Sequence, residues 1–534
     1  MINLTGESLT IDEVVNVACR NEAVAPLSDA VQQRMQESQA WVEDSIRKEK
    51  MIYGINTGFG PLATTSIRAE QASELSRNVI LACLTGVGPP LSREMVRAMM
   101  IIRANTLTKG HSGIRPVVVQ TFIDMLNAGV TPVIPWKGSL GASGDLAPLA
   151  HLAIVLTRDA DTEGQGYSGE AWFDGERLSG AEAMERAGIP RLVPQAKEGL
   201  ALTNGTTLMV AAGVLEIFEA ESLLAHAEIA AAMSLEGLTA LSAALHPGLN
   251  EVNCMMGQSE TAANIRKLIQ GSSLIDSSPE RIQDAYSMRC IPQVLGPVRH
   301  VLSFVRSNFE RVLNGATDNP LIFQDPADKA SYISVSGGNF HGQGPAMWLD
   351  FLGISLAEVG SIAERRIFRM LSPELNNGLP SMLVKLPGLN TGLMMPQYTA
   401  AALVSDSKTL AHPDSVDSIP SSANQEDHVS MGANAARHAL EIIDNVRHII
   451  AIEFLTAAQA IYLRPGGPEK LGKGTSPAYK IIRQKVSPLE SDRELSPDIE
   501  AIVMLMRTGE ILKSVKGTCC KYFSNYVFQK IFKT

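Results

Sequence analysis

Aromatic residues are scarce in this chain of 534 residues, 5% of the total. With many Ala, Leu and Met in long periodic stretches, that scarcity leans toward a helical protein. Cysteine is scarce too: six residues do not make a disulfide framework in a chain this size. Cys519 and Cys520 are adjacent, and no CxxC pair suggests a structural zinc site. Also missing are an HExxH, a His pair at i,i+4 and a carboxylate cluster, so a metal-free protein is expected. A basic excess is lacking: 46 Lys and Arg stand against 56 Asp and Glu, a formal charge of −10. That balance gives no support to nucleic acid or an anionic membrane as partner. The segment Met1 to Glu7 has no basic stretch leading into an apolar core, so no signal peptide is expected, and a reducing cytoplasm fits best. The most apolar long run, Leu208 to Met233, carries Glu216, Glu219, Glu221, His226 and Glu228. A bilayer would penalise those charges, so the run reads as a buried helix.

What is present is enough for two to four domain-sized cores. The first hundred or so residues mix helical patches with glycine-rich turns at Gly54–Gly60 and Gly86–Pro90. Beyond them helical signals dominate. Pro116 to Leu126 opens one helix, with proline where its missing N–H is harmless. A second follows Asn204-Gly205, a third covers about Trp348 to Leu371, and a fourth about Met431 to Leu463 at helical spacing. The expected architecture is mainly α: a smaller mixed N-terminal domain, residues 1–110, then a long antiparallel helical bundle, residues 111–534. Composition makes Arg464 to Ser476 a mobile loop, and a hairpin is expected around Gly164 to Leu178.

The most informative stretch is Gly138-Ser139-Leu140-Gly141-Ala142-Ser143-Gly144-Asp145-Leu146-Ala147-Pro148-Leu149-Ala150-His151. Three glycines free the backbone to bend into conformations other residues avoid. So bent, the amide nitrogen of Gly144 reaches the carbonyl carbon of Ala142. Attack and loss of water close a five-membered ring, and loss of the Ser143 hydroxyl leaves an exocyclic methylidene. The whole string resembles the signature of the aromatic amino-acid lyase family, which holds histidine, phenylalanine and tyrosine ammonia-lyases and related aminomutases. That resemblance identifies the ring as 4-methylidene-imidazol-5-one, formed from Ala142, Ser143 and Gly144.

Further segments resemble the family in order. They are Tyr53 to Gly60, Gly199 to Thr206, Gln283 to Cys290, Thr317 to Pro320, Gly337 to His341 and Asn424 to Ser430. The resemblance implies Tyr53 as the base that reaches the β-carbon. A phenol is mostly protonated at neutral pH, so the site must favour its anion. It implies Arg289 as a two-pronged clamp for the substrate carboxylate, and Asn204 as a donor to charge developing on the ring oxygen. Tyr286 and Gln283 would shape the amine and carboxylate ends, and Phe340 would pack near the ring. His151, His341 and His428 read as satisfied structural histidines. A homotetramer with each active site shared between subunits is implied as well.

Two places speak to the substrate, a small amino acid. Glu426 resembles the histidine-lyase pattern Asn-Gln-Glu-Asp-His, and a carboxylate suits an imidazole N–H better than a benzene ring. Against it stand Ala82 and Cys83, where the family's histidine lyases typically have Ser-His. A thiol is smaller and a weaker hydrogen-bonder than imidazole, so that end of the pocket should be roomier and less polar. The expected reaction is L-histidine to trans-urocanate and ammonia. The alternatives are a lyase or 2,3-aminomutase acting on another aromatic amino acid, and a catalytically silent scaffold on the same fold.

Overall fold

The computed structural model describes residues 1–48, 50–160, 166–278, 280–328 and 331–516. Cys519-Cys520 and the start of the expected hairpin at Gly164 lie outside them. The chain is mainly α, and its contacts gather it into two compact units. One comprises Met1–Leu215, Arg306–Asp350 and Pro413–Arg437, the other Glu216–Val305, Phe351–His412 and residues from His438 onward. Four of the unit boundaries fall inside the long helices Thr207–Gly237, Ile291–Val312, Gln343–Leu371 and Gly432–Leu463, and the fifth falls between His412 and Pro413.

Among the described residues the first unit holds three small antiparallel sheets. Val87–Pro90 pairs with Pro135–Lys137, and Leu321–Gln324 with Tyr332–Val335. The expected hairpin is there as Glu170–Phe173 against Glu176–Ser179, with Thr131–Pro132 added at its edge. The core is helix Arg93–Thr108, whose residues from Met95 to Thr108 are all buried. That helix includes buried Arg97, Arg103 and Asn105, which satisfy backbone carbonyls of neighbouring segments. Such side chains disguise a core helix as a surface one.

The second unit is a bundle. Phe304 meets Phe351 while Arg366 donates to the carbonyl of Ser287, so the segment Ser287–Phe304 runs antiparallel to helix Gln343–Leu371. Gly353 lies against Ile442 and Gly360 against Ile449, so Gln343–Leu371 and Gly432–Leu463 run the same way. Between them in sequence comes the return helix Met394–Leu410. Glycines at the contact let the backbones close in. Helix Gly432–Leu463 is long and apolar enough to cross a bilayer, yet 83% of its most apolar window is buried against protein. At its centre Glu453 is fully buried and takes a two-pronged bond from Arg366, at 2.6 and 3.0 Å, with Ser234 at 2.7 Å.

Helix Ile291–Val312 runs through Pro297, a residue that normally marks a break. The stretch expected as a mobile loop is anchored at its start by Arg464, which donates to the carbonyls of Gly237, Asn376 and Asn377 at 2.7–2.9 Å. Cys83, Cys254 and Cys290 are free thiols.

Candidate active site

The floor of the site is built from main chain. Gly144 sits at φ 75°, in the left-handed region that favours glycine. A Cβ there would stand 2.2 Å from the carbonyl oxygen of Gly205. The two glycines form a β-bridge, and the N–H of Asp145 donates to the Gly205 oxygen at 2.7 Å. This approach brings Asn204 onto Ser143. Asn204 Nδ2 donates to the Ser143 carbonyl oxygen at 2.7 Å, and the Gly205 N–H approaches the same oxygen at 3.4 Å. Asn204 Oδ1 is buried and has no partner among the described residues.

Asn204 follows the short helix Glu198–Thr203 and is held from behind. The fully buried Arg103 donates to the carbonyl oxygens of Asn204, at 2.6 Å, and Ala201. Burial pushes this guanidinium down to about 10, opposed by the charges of Asp318 and Asp145. Asp145 is also fully buried. Its carboxylate accepts from the Ser139 hydroxyl at 2.8 Å and the Met209 N–H at 3.1 Å, which caps helix Thr207–Gly237. Burial pushes Asp145 up to about 6, against those bonds.

Glu426 grips the other end of Ser143. The Ser143 hydroxyl donates to Oε1 at 2.5 Å, and the Ser421 hydroxyl donates to Oε2 at 2.8 Å. Tyr53 lies in the glycine-rich turn, where its hydroxyl accepts the Gly60 N–H at 3.5 Å. Asn56 ties that turn by accepting from the Ile52 N–H and donating to the Lys50 carbonyl.

These groups open on one cavity of about 900 Å³. Of the residues expected from sequence, Tyr53, Ala82, Cys83, Ala142, Ser143, Asn204, Phe340 and Glu426 line it. Gly144 supports the floor. Ala82 and Cys83 end helix Ala72–Ala82. Burial, reinforced by the Glu426 carboxylate, pushes the Cys83 thiol up to about 11, so it faces the cavity as a neutral group. Gln283, Tyr286 and Arg289 belong to the second unit and are not among the lining residues. There Arg289 donates to Gln283 at 2.9 Å and lies over the Tyr286 ring, 4.8 Å from its centroid. Arg289 Nε has no partner among the described residues. Tyr286 is 71% exposed and Ile282 95%.

Sequence reasoning missed the supports. Arg103 sits in no motif and gave no signal. Asp145 and Asp318 lie inside quoted motifs, but nothing in their spacing told what they hold. Asp318 pairs with Lys197 at 2.8 Å, both side chains fully buried, and accepts from Ser112 at 2.9 Å. Asn319 accepts the Gly337 N–H at 2.7 Å, which joins two of the family segments. Among the described residues, no group of three or more His, Cys, Asp or Glu could hold a metal ion.

A mainly helical chain that folds a backbone loop into the floor of a large cavity, with Tyr53, Asn204 and Glu426 in its wall, carries the groups of an enzyme. The family model for aromatic amino acid lyase matches residues 9–484. Histidine ammonia-lyase of Caldanaerobacter subterraneus subsp. tengcongensis is 48% identical to this chain, over 96% of it and 98% of its own length. The crystal structure of histidine ammonia-lyase from Trypanosoma cruzi superposes with a TM-score of 0.88 at 38% identity, covering 98% of this chain and 97% of that one. Tyrosine aminomutase from Streptomyces globisporus gives 0.89 at 34% identity, covering 97% and 99%. The chain belongs to the aromatic amino acid lyase family.

Proposed function

We propose that this chain eliminates ammonia from L-histidine to give trans-urocanate, with 4-methylidene-imidazol-5-one made from its own Ala142, Ser143 and Gly144. The observation that carries this reading is the double grip on Ser143, by Asn204 on its carbonyl and Glu426 on its hydroxyl, in the cavity that also holds Tyr53. The loop suits such a ring. Gly144 is already bent against Gly205 where no side chain fits, and the Ser143 oxygen that would become the ring oxygen faces two N–H donors. When formed, the ring supplies an electrophile for the substrate amine, a group that leaves poorly by itself.

The side chains do the rest. Asn204 and the Gly205 N–H stabilise negative charge on the Ser143 oxygen. Tyr53 takes the β-proton on its phenol oxygen, at which the Gly60 N–H is aimed. Glu426 recognises the imidazole N–H of the substrate. Phe340 closes one side of the cavity against water. Gln283, Tyr286 and Arg289 bind the carboxylate and amine ends from a neighbouring subunit of a homotetramer. The exposure of Gln283 and Tyr286 supports that role, as do Phe304, Phe351, Ile354 and Phe368, each 39–49% exposed.

Ala82 and Cys83 favour a second reading, a lyase or 2,3-aminomutase acting on another aromatic amino acid. Their small, neutral surfaces leave the far end of the cavity without an imidazole partner. The test is to incubate purified protein separately with L-histidine, L-tyrosine and L-phenylalanine, following ammonia and the near-ultraviolet absorbance of a conjugated acid. Turnover of histidine alone is expected, from protein whose intact mass lies ~36 Da below the encoded chain, the loss of two waters. Silence on histidine with that mass deficit present would sink the assignment and move it to the second reading.

A further inference from the structure

We infer that His341 is a positioning residue for the reaction proposed above: neutral, with its proton on Nε2, it clamps the turn carrying Glu426 to the loop carrying Ser143. The inference rests on that proposed reaction and assigns a task to a histidine that the reaction itself leaves idle.

Hydrogen bonding sets the tautomer. The N–H of Gln343, the first residue of helix Gln343–Leu371, points at His341 Nδ1 at 3.3 Å. An N–H can only donate, so Nδ1 accepts and the ring proton sits on Nε2. His341 Nε2 lies 3.1 Å from the main-chain carbonyl oxygen of His428 and donates to it. His428 Nδ1 stands 3.3 Å from the same nitrogen, with the two rings stacked at 5.3 Å. His428 is two residues beyond Glu426, and both histidines line the cavity.

The same short segment also holds the Ser143 loop. Gly342 donates its N–H to the Gly141 carbonyl at 3.1 Å, and the Ser430 hydroxyl donates to that same oxygen at 3.1 Å. Met431 donates to the Leu140 carbonyl at 2.8 Å. His341-Gly342 therefore adds a fastening between two loops far apart in sequence, one bearing Glu426 and the other Ser143, which Ser430 and Met431 also join directly.

The Glu426 turn needs such a fastening. Ser422, Ala423 and Asn424 all have positive φ, at 51°, 51° and 69°. Three consecutive non-glycine residues in the left-handed region hold only where surrounding contacts over-determine them. The turn is braced by the Ser421–Glu426 bridge on one side and by His341 on His428 on the other. Release of the second brace lets the turn relax and carries Glu426 away from Ser143.

Asparagine at 341 can imitate Nδ1 but cannot reach His428, whereas the Nε2 of glutamine can take the place of the imidazole Nε2. The full-length chain is compared with its H341N, H341Q and H428A variants, first by intact mass and thermal melting, then by kcat and KM on L-histidine. H341N is expected to lose roughly tenfold or more in kcat/KM, with KM raised as well as kcat lowered, because the displaced Glu426 is the group that recognises the substrate's imidazole. H341Q should stay within about threefold of wild type. H428A keeps the carbonyl acceptor and should also stay close. H341Q no better than H341N, H341N equal to wild type, or H428A as impaired as H341N would each overturn the clamp. Should H341N fail to fold, H341Q and H428A both close to wild type still support it, and a tenfold loss in either overturns it. A wild-type chain silent on histidine would instead overturn the proposed reaction.

Discussion

The carbonyl oxygen of Ser143 shows how much one residue's surroundings decide. It faces one side-chain donor and one main-chain donor, at 2.7 and 3.4 Å. Asn204→Ala removes the nearer. Steady-state kinetics should then show kcat lower by about 10²–10³-fold, the usual cost of losing one donor at a developing oxyanion, with a much smaller change in KM. Residues at this scale were legible through the segments that resemble the family. Tyr53, Asn204 and Glu426 stood out for that reason, and they line one cavity. Arg103 did not, because its job is to hold the carbonyl of Asn204, and a carbonyl belongs to every residue type. His341 was read as a satisfied structural histidine. Its ring is satisfied, but what satisfies it, the Gln343 N–H and the His428 carbonyl, is main chain that only folding brings together.

Among elements, amphipathic periodicity betrayed the helices with one apolar side, and Gly432–Leu463 begins within a residue of its expected start. Helix Arg93–Thr108 escaped because buried Arg and Asn interrupt its apolar pattern. Ile291–Val312 escaped because Pro297 hides its continuity. The stretch after Arg464 is rich in glycine and lysine, and composition cannot show that Glu236 reaches into it. Glu236 accepts the Gly472 N–H at 2.7 Å just before helix Thr475–Lys485. Burial pushes its carboxyl up to about 7, opposed by bonds from Thr475, Gly472 and Ser272. A carboxyl whose pKa is raised by folding stabilises the fold most below its unfolded value, near 4.5, and that contribution is lost as pH rises through about 7. Glu236→Gln cannot titrate. Melting temperatures at about pH 5 and about pH 8, either side of that pKa, should therefore show wild type losing ground to the variant as pH rises. An unchanged difference would mean that the carboxyl is solvated.

For the whole molecule, the sequence declared its helical class plainly, and the expectation of a tetramer came only through family likeness. If each active site joins Tyr53 of one subunit to Arg289 of another, Tyr53→Phe and Arg289→Met proteins are each inactive alone. Unfolded together and refolded as a mixture, they should recover roughly a quarter of wild-type activity, since random assembly unites both intact halves at one site in four. No recovery would mean that both residues come from one chain. The meeting of Gly144 with Gly205 also constrains what such a chain can become. The obstacle facing a side chain at Gly144 is main chain, which no second substitution can trim. At Gly205 the obstacles include the side chains of Thr317 and Arg103. Gly205 itself sits at φ 134°, where a side chain is strained whatever the space, and Arg103 cannot be trimmed without releasing Asn204, so suppressor screens begun from Gly144→Ala or from Gly205→Ala should both return only true revertants.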